Sequence, residues 1–214
     1  MSIPNVTIGK QINYGNKYRF TFFNDSYFQL IFYHDVRSGN YYFNKVNVKR
    51  YFGQYTYSLL SDLEAESLYK TDNKYEFILH YPELGLDEFN WWRQSLSPTI
   101  QTEDNLQNET GTPLVLGYEN ISVKFTTNNW GGLSLSKREN ESYINGDVSP
   151  GFWFYSIGNY GIEKGIPGPT PTYLKQVALY VKITSLDMIR CISCRFCRNF
   201  FLNFPEFLCV IIVL

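Results

Sequence analysis

The chain has 214 residues, 44% of them hydrophobic and 18% aromatic, and carries a formal net charge of −1. That length suits one domain with an appendage, and the apolar, aromatic-rich balance excludes a disordered chain. Basic and acidic residues are interspersed, which excludes the electrostatic footprint of a nucleic-acid partner.

The N-terminal MSIPNVTIGK has neither a basic start nor an apolar run, so it does not read as a secretory signal. From Lys17 to His34, two aromatic and β-branched runs flank the turn-forming Asn24, Asp25 and Ser26, which predicts a hairpin. A further strand is expected to start at Tyr41–Phe43 after the Ser38–Asn40 turn. Tyr57 to Tyr69 places Leu59, Leu60, Leu63 and Leu68 near helical spacing, with Ser61 and Glu64 in capping-box relation, and predicts one short amphipathic helix.

Lys74 to Pro82 alternates strictly and is the clearest strand in the N-terminal half. A polar stretch from Ser95 to Pro113 reads as a long loop. Beyond it, the runs around Ile121–Phe125, Leu133–Leu135 and Phe152–Ile157 are strand candidates. Gly161 to Tyr173, rich in Gly and Pro, predicts a stiff connection into a closing strand at Gln176–Ile183. Short strands at turn-punctuated intervals with one helix point to a mainly β, antiparallel sandwich or jelly-roll-like domain over residues 1–183, with an α+β arrangement as the alternative.

The four tryptophans lie in Asn90–Gln94 (NWWRQ), Asn128–Ser136 (NNWGGLSLS) and Gly151–Gly158 (GFWFYSIG), each beside amide, glycine or hydroxyl residues. An aromatic face with placed amides is the composition of a sugar or ligand platform. Trp91, Trp92, Arg93, Trp130 and Trp153 are therefore the ligand-binding candidates, although large aromatics at such positions are more often core. Adjacent strand residues point to opposite faces, so one of Trp91 and Trp92 is expected to be exposed unless the strand is covered on both sides. The glycines of the WGGL turn and the GIPGP loop, Gly165–Pro169, serve ligand-loop and plain turn geometry equally well.

Catalytic frames are lacking. The two histidines, His34 and His80, sit in no HExxH or comparable context, and His34 beside Asp35 is a poor base and orienter pair. Glu83, Asp87 and Glu88 are the only acidic group that invites a two-carboxylate glycosidase reading. No phosphate loop, cofactor motif or metal frame is present, so no enzyme activity, cofactor or metal site is expected. N-glycosylation acceptors occur at Asn5, Asn24, Asn108, Asn120 and Asn140, a modest excess over the roughly two or three that composition alone supplies.

Residues 184–214 have a different character. Cys191, Cys194, Cys197 and Cys209 are all of the cysteines, and their spacing fits neither an iron–sulfur run nor a zinc ribbon. Phe200–Leu214 is apolar but interrupted by Pro205 and Glu206, and falls short of the about twenty residues a membrane span needs. The tail reads as an irregular appendage, either a weak membrane anchor flanked by Arg190, Arg195 and Arg198 or a product of slippage at the coding end.

The order of EFILHYPEL (Glu76–Leu84), NWWRQS, NNWGGLSLS, FWFYSIG, GIPGP and QVALYVKI resembles a recurring module of large secreted or surface proteins of protists, some invertebrates and bacteria. In layout it is similar to fibrinogen-type, laminin-G-type and discoidin-type recognition modules, over about Tyr27 to Ile183. The resemblance implies a non-catalytic recognition or adhesion role toward a glycan or surface-protein ligand and an extracellular or cell-surface location. A carbohydrate-active hydrolase and a purely structural unit of a surface protein are the alternatives.

Overall fold

A computed structural model of the chain describes residues 12–14, 18–37, 39, 43–44, 46–53, 56–65, 67–85, 87–101, 106–107, 114–126, 130–135, 144–147, 154–158, 165–169 and 173–184. The cysteine-bearing tail and the Tyr41–Tyr42 start of an expected strand lie outside them. The strands in chain order are β1 (Ile12–Tyr14), β2 (Tyr18–Phe23), β3 (Ser26–Asp35), β4 (Tyr51–Phe52), β5 (Tyr57–Ser58), β6 (Lys70–Thr71), β7 (Lys74–His80) and β8 (Phe89–Gln94). They continue with β9 (Leu106–Gln107), β10 (Leu114–Val115), β11 (Glu119–Val123), β12 (Trp130–Leu135), β13 (Ile144–Asp147), β14 (Ile166–Pro167), β15 (Tyr173–Leu174) and β16 (Gln176–Ile183). One α-helix, α1 (Asp62–Ala65), occurs among the described residues.

The fold is mainly β and antiparallel, as the turn-punctuated sequence predicts. Its main sheet has the strand order β1-β2-β3-β16-β7-β8-β11, with β4, β5 and β6 attached, and two-stranded ribbons β12-β13, β9-β10 and β14-β15 beside it. The last strand in sequence, β16, inserts between β3 and β7, in the middle of the sheet. All along β16 except Lys182 the residues are buried, which explains its near-continuous apolar run.

The β2–β3 hairpin turns through Asn24 and Asp25, at φ 45° and 55°. Positive φ at both central residues is what a two-residue hairpin turn compatible with strand twist requires, and Asn and Asp tolerate it best. The same solution recurs between β6 and β7 at Asp72 and Asn73, with φ 53° and 61°.

The expected helix over Tyr57–Tyr69 is reduced to the four residues of α1 followed by a 3-10 turn at Ser67–Tyr69. Its first two residues instead pair with β3, and the Tyr57 hydroxyl donates to the Leu30 carbonyl at 2.7 Å. Tertiary pairing overrides the local leucine periodicity, while Leu59, Leu60 and Leu63 still reach the core.

Alternation divides the main sheet into two faces. One carries Phe77 and Leu79 on β7, Asn90, Trp92 and Gln94 on β8, and Leu179 and Val181 on β16. Loops and ribbons cover it: Trp92 meets Trp130 edge-on at 4.8 Å, and the Tyr75 hydroxyl donates to the Leu63 carbonyl at 2.8 Å. The other face curls on itself. Phe23 of β2 lies 5.4 Å from Phe89 and 5.2 Å from Trp91, both on β8. Four strand spacings separate β2 from β8, about 19 Å in a flat sheet, so only strong coiling brings these rings together.

Candidate functional site

The tryptophan-rich strand β8 sits between β7 and β11 and feeds side chains into both layers. Trp91 and Trp92 point to opposite faces, as a strand requires, yet Trp91 is 8% and Trp92 0% exposed. The exposed platform expected from one of the pair is therefore absent. The reason is the curl: the concave face folds Phe23 and Phe28 over Trp91, while the opposite face places Trp130 and Phe77 against Trp92. Trp130 is buried as well, its indole N–H donating to the Tyr118 hydroxyl at 3.1 Å. Trp153 lies outside the described residues.

The amides beside these rings, expected to meet sugar hydroxyls, bind backbone instead. On the Trp92 face, Gln94 Oε1 accepts from the Leu133 backbone N–H at 3.0 Å, and Gln94 Nε2 donates to the Leu133 carbonyl at 2.9 Å. The same Oε1 accepts from the Trp92 indole at 2.9 Å, and Nε2 also reaches the Leu96 carbonyl at 2.7 Å. At the other end of β8, Asn90 repeats the device: its Oδ1 accepts from Phe125 N–H at 2.9 Å and its Nδ2 donates to the Phe125 carbonyl at 3.0 Å. Asn90, Trp92 and Gln94 share one face by strand parity, so a buried ring is flanked by two side-chain amides that each satisfy the backbone N–H and carbonyl of one residue outside the main sheet.

Gly132 completes this clasp. It holds φ 98°, and a Cβ there would lie 2.3 Å from Val115 Cγ2 and 3.0 Å from Gln94 Oε1. The glycine of the WGGL turn is thus required by close approach and by left-handed backbone. In the GIPGP loop, Gly165 approaches the Leu174 carbonyl so closely that a Cβ would lie 2.6 Å from it.

On the opposite face, Glu76 of β7 is the hub. Its side chain is 3% exposed; Oε1 accepts from the Trp91 indole at 3.0 Å and from Lys182 Nζ at 3.3 Å, and Oε2 accepts from Arg93 Nε at 2.9 Å. Arg93 Nη2 also lies 2.9 Å from Oε2, a forked arrangement. Glu119 of β11, opposite Arg93 in register, pairs with Lys74 and stands 3.9 Å from Arg93. Lys182, Glu76, Arg93 and Glu119 thereby alternate in sign across four neighbouring strands. Arg93, one of the ligand-binding candidates, is held by a buried carboxylate of its own chain. The Lys74 partner holds the Glu119 carboxyl below the ordinary carboxylate range, with Arg93 adding to the effect.

The sequence's catalytic possibilities are dispersed. His34 and Asp35 occupy opposite faces of β3. Burial works to raise the Asp35 carboxyl, but hydrogen bonds and charge from Arg37 outweigh it and hold the group below its usual value. Arg37 Nε lies 3.0 Å from Asp35 Oδ1, and Gln176 Nε2 and the Tyr33 hydroxyl donate to Oδ2 at 3.0 and 3.2 Å. Glu83 accepts from the backbone N–H groups of Lys175 and Gln176. His80, with its Nε2 3.0 Å from the Gly85 carbonyl, is pushed below its ordinary value by burial.

Of the glycosylation acceptors, Asn24 and Asn120 are exposed, and Asn5, Asn108 and Asn140 lie outside the described residues. Among the described residues, no three His, Cys, Asp or Glu side chains are grouped to hold a metal, and no helix is long and apolar enough to cross a membrane.

Fold and site together define a mainly β module organised around a fully committed strand. No known family model, curated protein or solved structure matches the chain.

Proposed function

We propose that the chain is a non-catalytic structural β module, the unit-of-a-surface-protein reading, in which NWWRQ is a framework motif. The observation that carries it is the internal use of β8. Asn90 and Gln94 clasp the backbone of Phe125 and Leu133, Trp91 and Arg93 serve Glu76, and Phe89 and Trp92 are core. A binding platform keeps polar groups unsatisfied until its ligand arrives, and these groups are satisfied already. The test is a glycan-array screen of the full chain beside an Arg93→Gln variant with intact near-UV circular dichroism. Equal, background-level signals are expected. A glycan signal that the variant loses overturns the reading.

Recognition of a glycan or protein ligand is the second reading, and Phe52 is the residue that favours it. Its ring is 48% exposed and lies 5.4 Å beneath the Arg50 guanidinium, an aromatic and cationic pair of the type that anchors interfaces. Binding to a surface that Phe52→Ala abolishes, while Arg93→Gln leaves it intact, is the result that supports this reading over the first.

A further inference from the structure

We propose that the β2–β3 hairpin tip is a glycan-bearing site: Asn24 carries an N-linked glycan whose first N-acetylglucosamine packs on the exposed ring of Phe22, beside the half-buried Tyr27. Three independent features converge there. The tripeptide Asn24-Asp25-Ser26 is an acceptor motif. Its asparagine stands at the exposed apex of a two-residue turn, at φ 45°. Two residues away, Phe22 leaves 42% of its surface exposed, opposite Tyr27 in register, with ring centroids 4.9 Å apart.

That exposed ring contrasts with its neighbour. Phe23 is 2% exposed and buried in the concave face, so strand parity puts Phe22 on the other side, at the outer margin of the sheet. Tyr27, in turn, is opposite Ile183 on β16, which is 4% exposed, so the cross-strand row runs from covered at β16 to open at β2. An apolar ring left open beside an acceptor asparagine offers the C–H face of a sugar a stacking surface. The amide linkage tethers that sugar within a few ångströms, so its packing costs little further ordering. Positive φ at Asn24 and Asp25 fixes the tip, and the glycan is presented from a preorganised turn.

The occupant is a sugar attached to the chain itself, so the proposal is independent of whether the module binds any external ligand. The experiment is expression of the full chain behind a secretion leader in a cell that performs N-glycosylation, with intact-mass and peptide mapping before and after enzymatic deglycosylation. Asn24 is expected to be occupied, and Asn24→Gln to lose one glycan's mass. Thermal unfolding then tests the packing. The glycosylated form is expected to unfold about 2–4 °C higher than the same chain trimmed to the bare side chain, and Phe22→Ser is expected to abolish that difference. Phe22→Tyr, which keeps a ring, is expected to retain it. An unmodified Asn24 in protein that is glycosylated at Asn120 overturns the site. An occupied Asn24 whose stabilisation is equal in Phe22→Ser overturns the packing.

Discussion

Gln94 and Leu133 pair as two strand residues would, through one N–H to oxygen bond in each direction, although one partner is a side chain. The β12-β13 ribbon is thereby stitched to β8 of the main sheet by a side chain rather than by a ladder between the two sheets. Gln94→Leu leaves the Leu133 N–H and carbonyl and the Trp92 indole N–H without their partner. At about 1–3 kcal/mol for each buried group left unsatisfied, the expected loss is at least about 3 kcal/mol, read as a lower urea midpoint at unchanged slope. A change within about 0.5 kcal/mol, the range of ordinary surface substitutions, sinks the clasp.

Gly132→Ala meets two obstacles at once. The left-handed backbone costs about 1–3 kcal/mol for a non-glycine residue, and the new methyl collides with Val115. Pairing it with Val115→Ala removes the collision and leaves the backbone cost. Partial recovery in the double variant, corrected for the loss from Val115→Ala alone, is the expected outcome. Full recovery means that the positive φ carries no penalty.

Tyr81 is fully buried, and its hydroxyl has no hydrogen-bond partner, while burial raises its pKa well above the ordinary phenol value. Tyr81→Phe is therefore expected to leave stability unchanged or to raise it by about 1 kcal/mol. A loss of that size shows that the hydroxyl is satisfied in solution, by a buried water for instance.

Acidification acts through His80 first. Burial depresses its pKa below the ordinary histidine value of about 6.5, so the unfolded chain binds the proton more readily than the folded one. Its contribution is fully present above that value and is lost as pH falls through the folded pKa. Asp35, held below the ordinary carboxylate value, adds a second loss at more acid pH as its carboxylate is protonated. Unfolding free energy followed across pH is expected to decline below about 6.5 in the native chain, with a shallower decline in His80→Gln. Identical profiles for the two remove His80 from the account.

The alternating strands were the legible part of the sequence. Lys74–His80 and Gln176–Ile183 form as the period of two and the bounding prolines, glycines and turn residues predict, because each is held on both sides by a neighbour with the same rhythm. The leucines at 59, 60, 63 and 68 misled, since helical spacing cannot reveal that Tyr57 and Ser58 have β3 within reach. For the tryptophans, parity correctly put 91 and 92 on opposite faces. What it could not supply was the coiling that carries Phe23 across to β8, a product of twist accumulated over several strands. The amide clasp did leave a signal: Asn90, Trp92 and Gln94 at alternate positions form one polar, ring, polar face, and such a face on a central strand must satisfy its amides internally.

The bulge at Ile121 gives the margin of the main sheet a character of its own. Between Asn120 and Ser122 the register of β11 against β8 slips by one residue, and Glu119 stands charged at the strand's start. A regular outer margin would offer incoming chains evenly spaced donors and acceptors, the template on which fibres lengthen. Here the spacing breaks in mid-strand. The β11 border is thus a poor template for strand-by-strand growth of a filament.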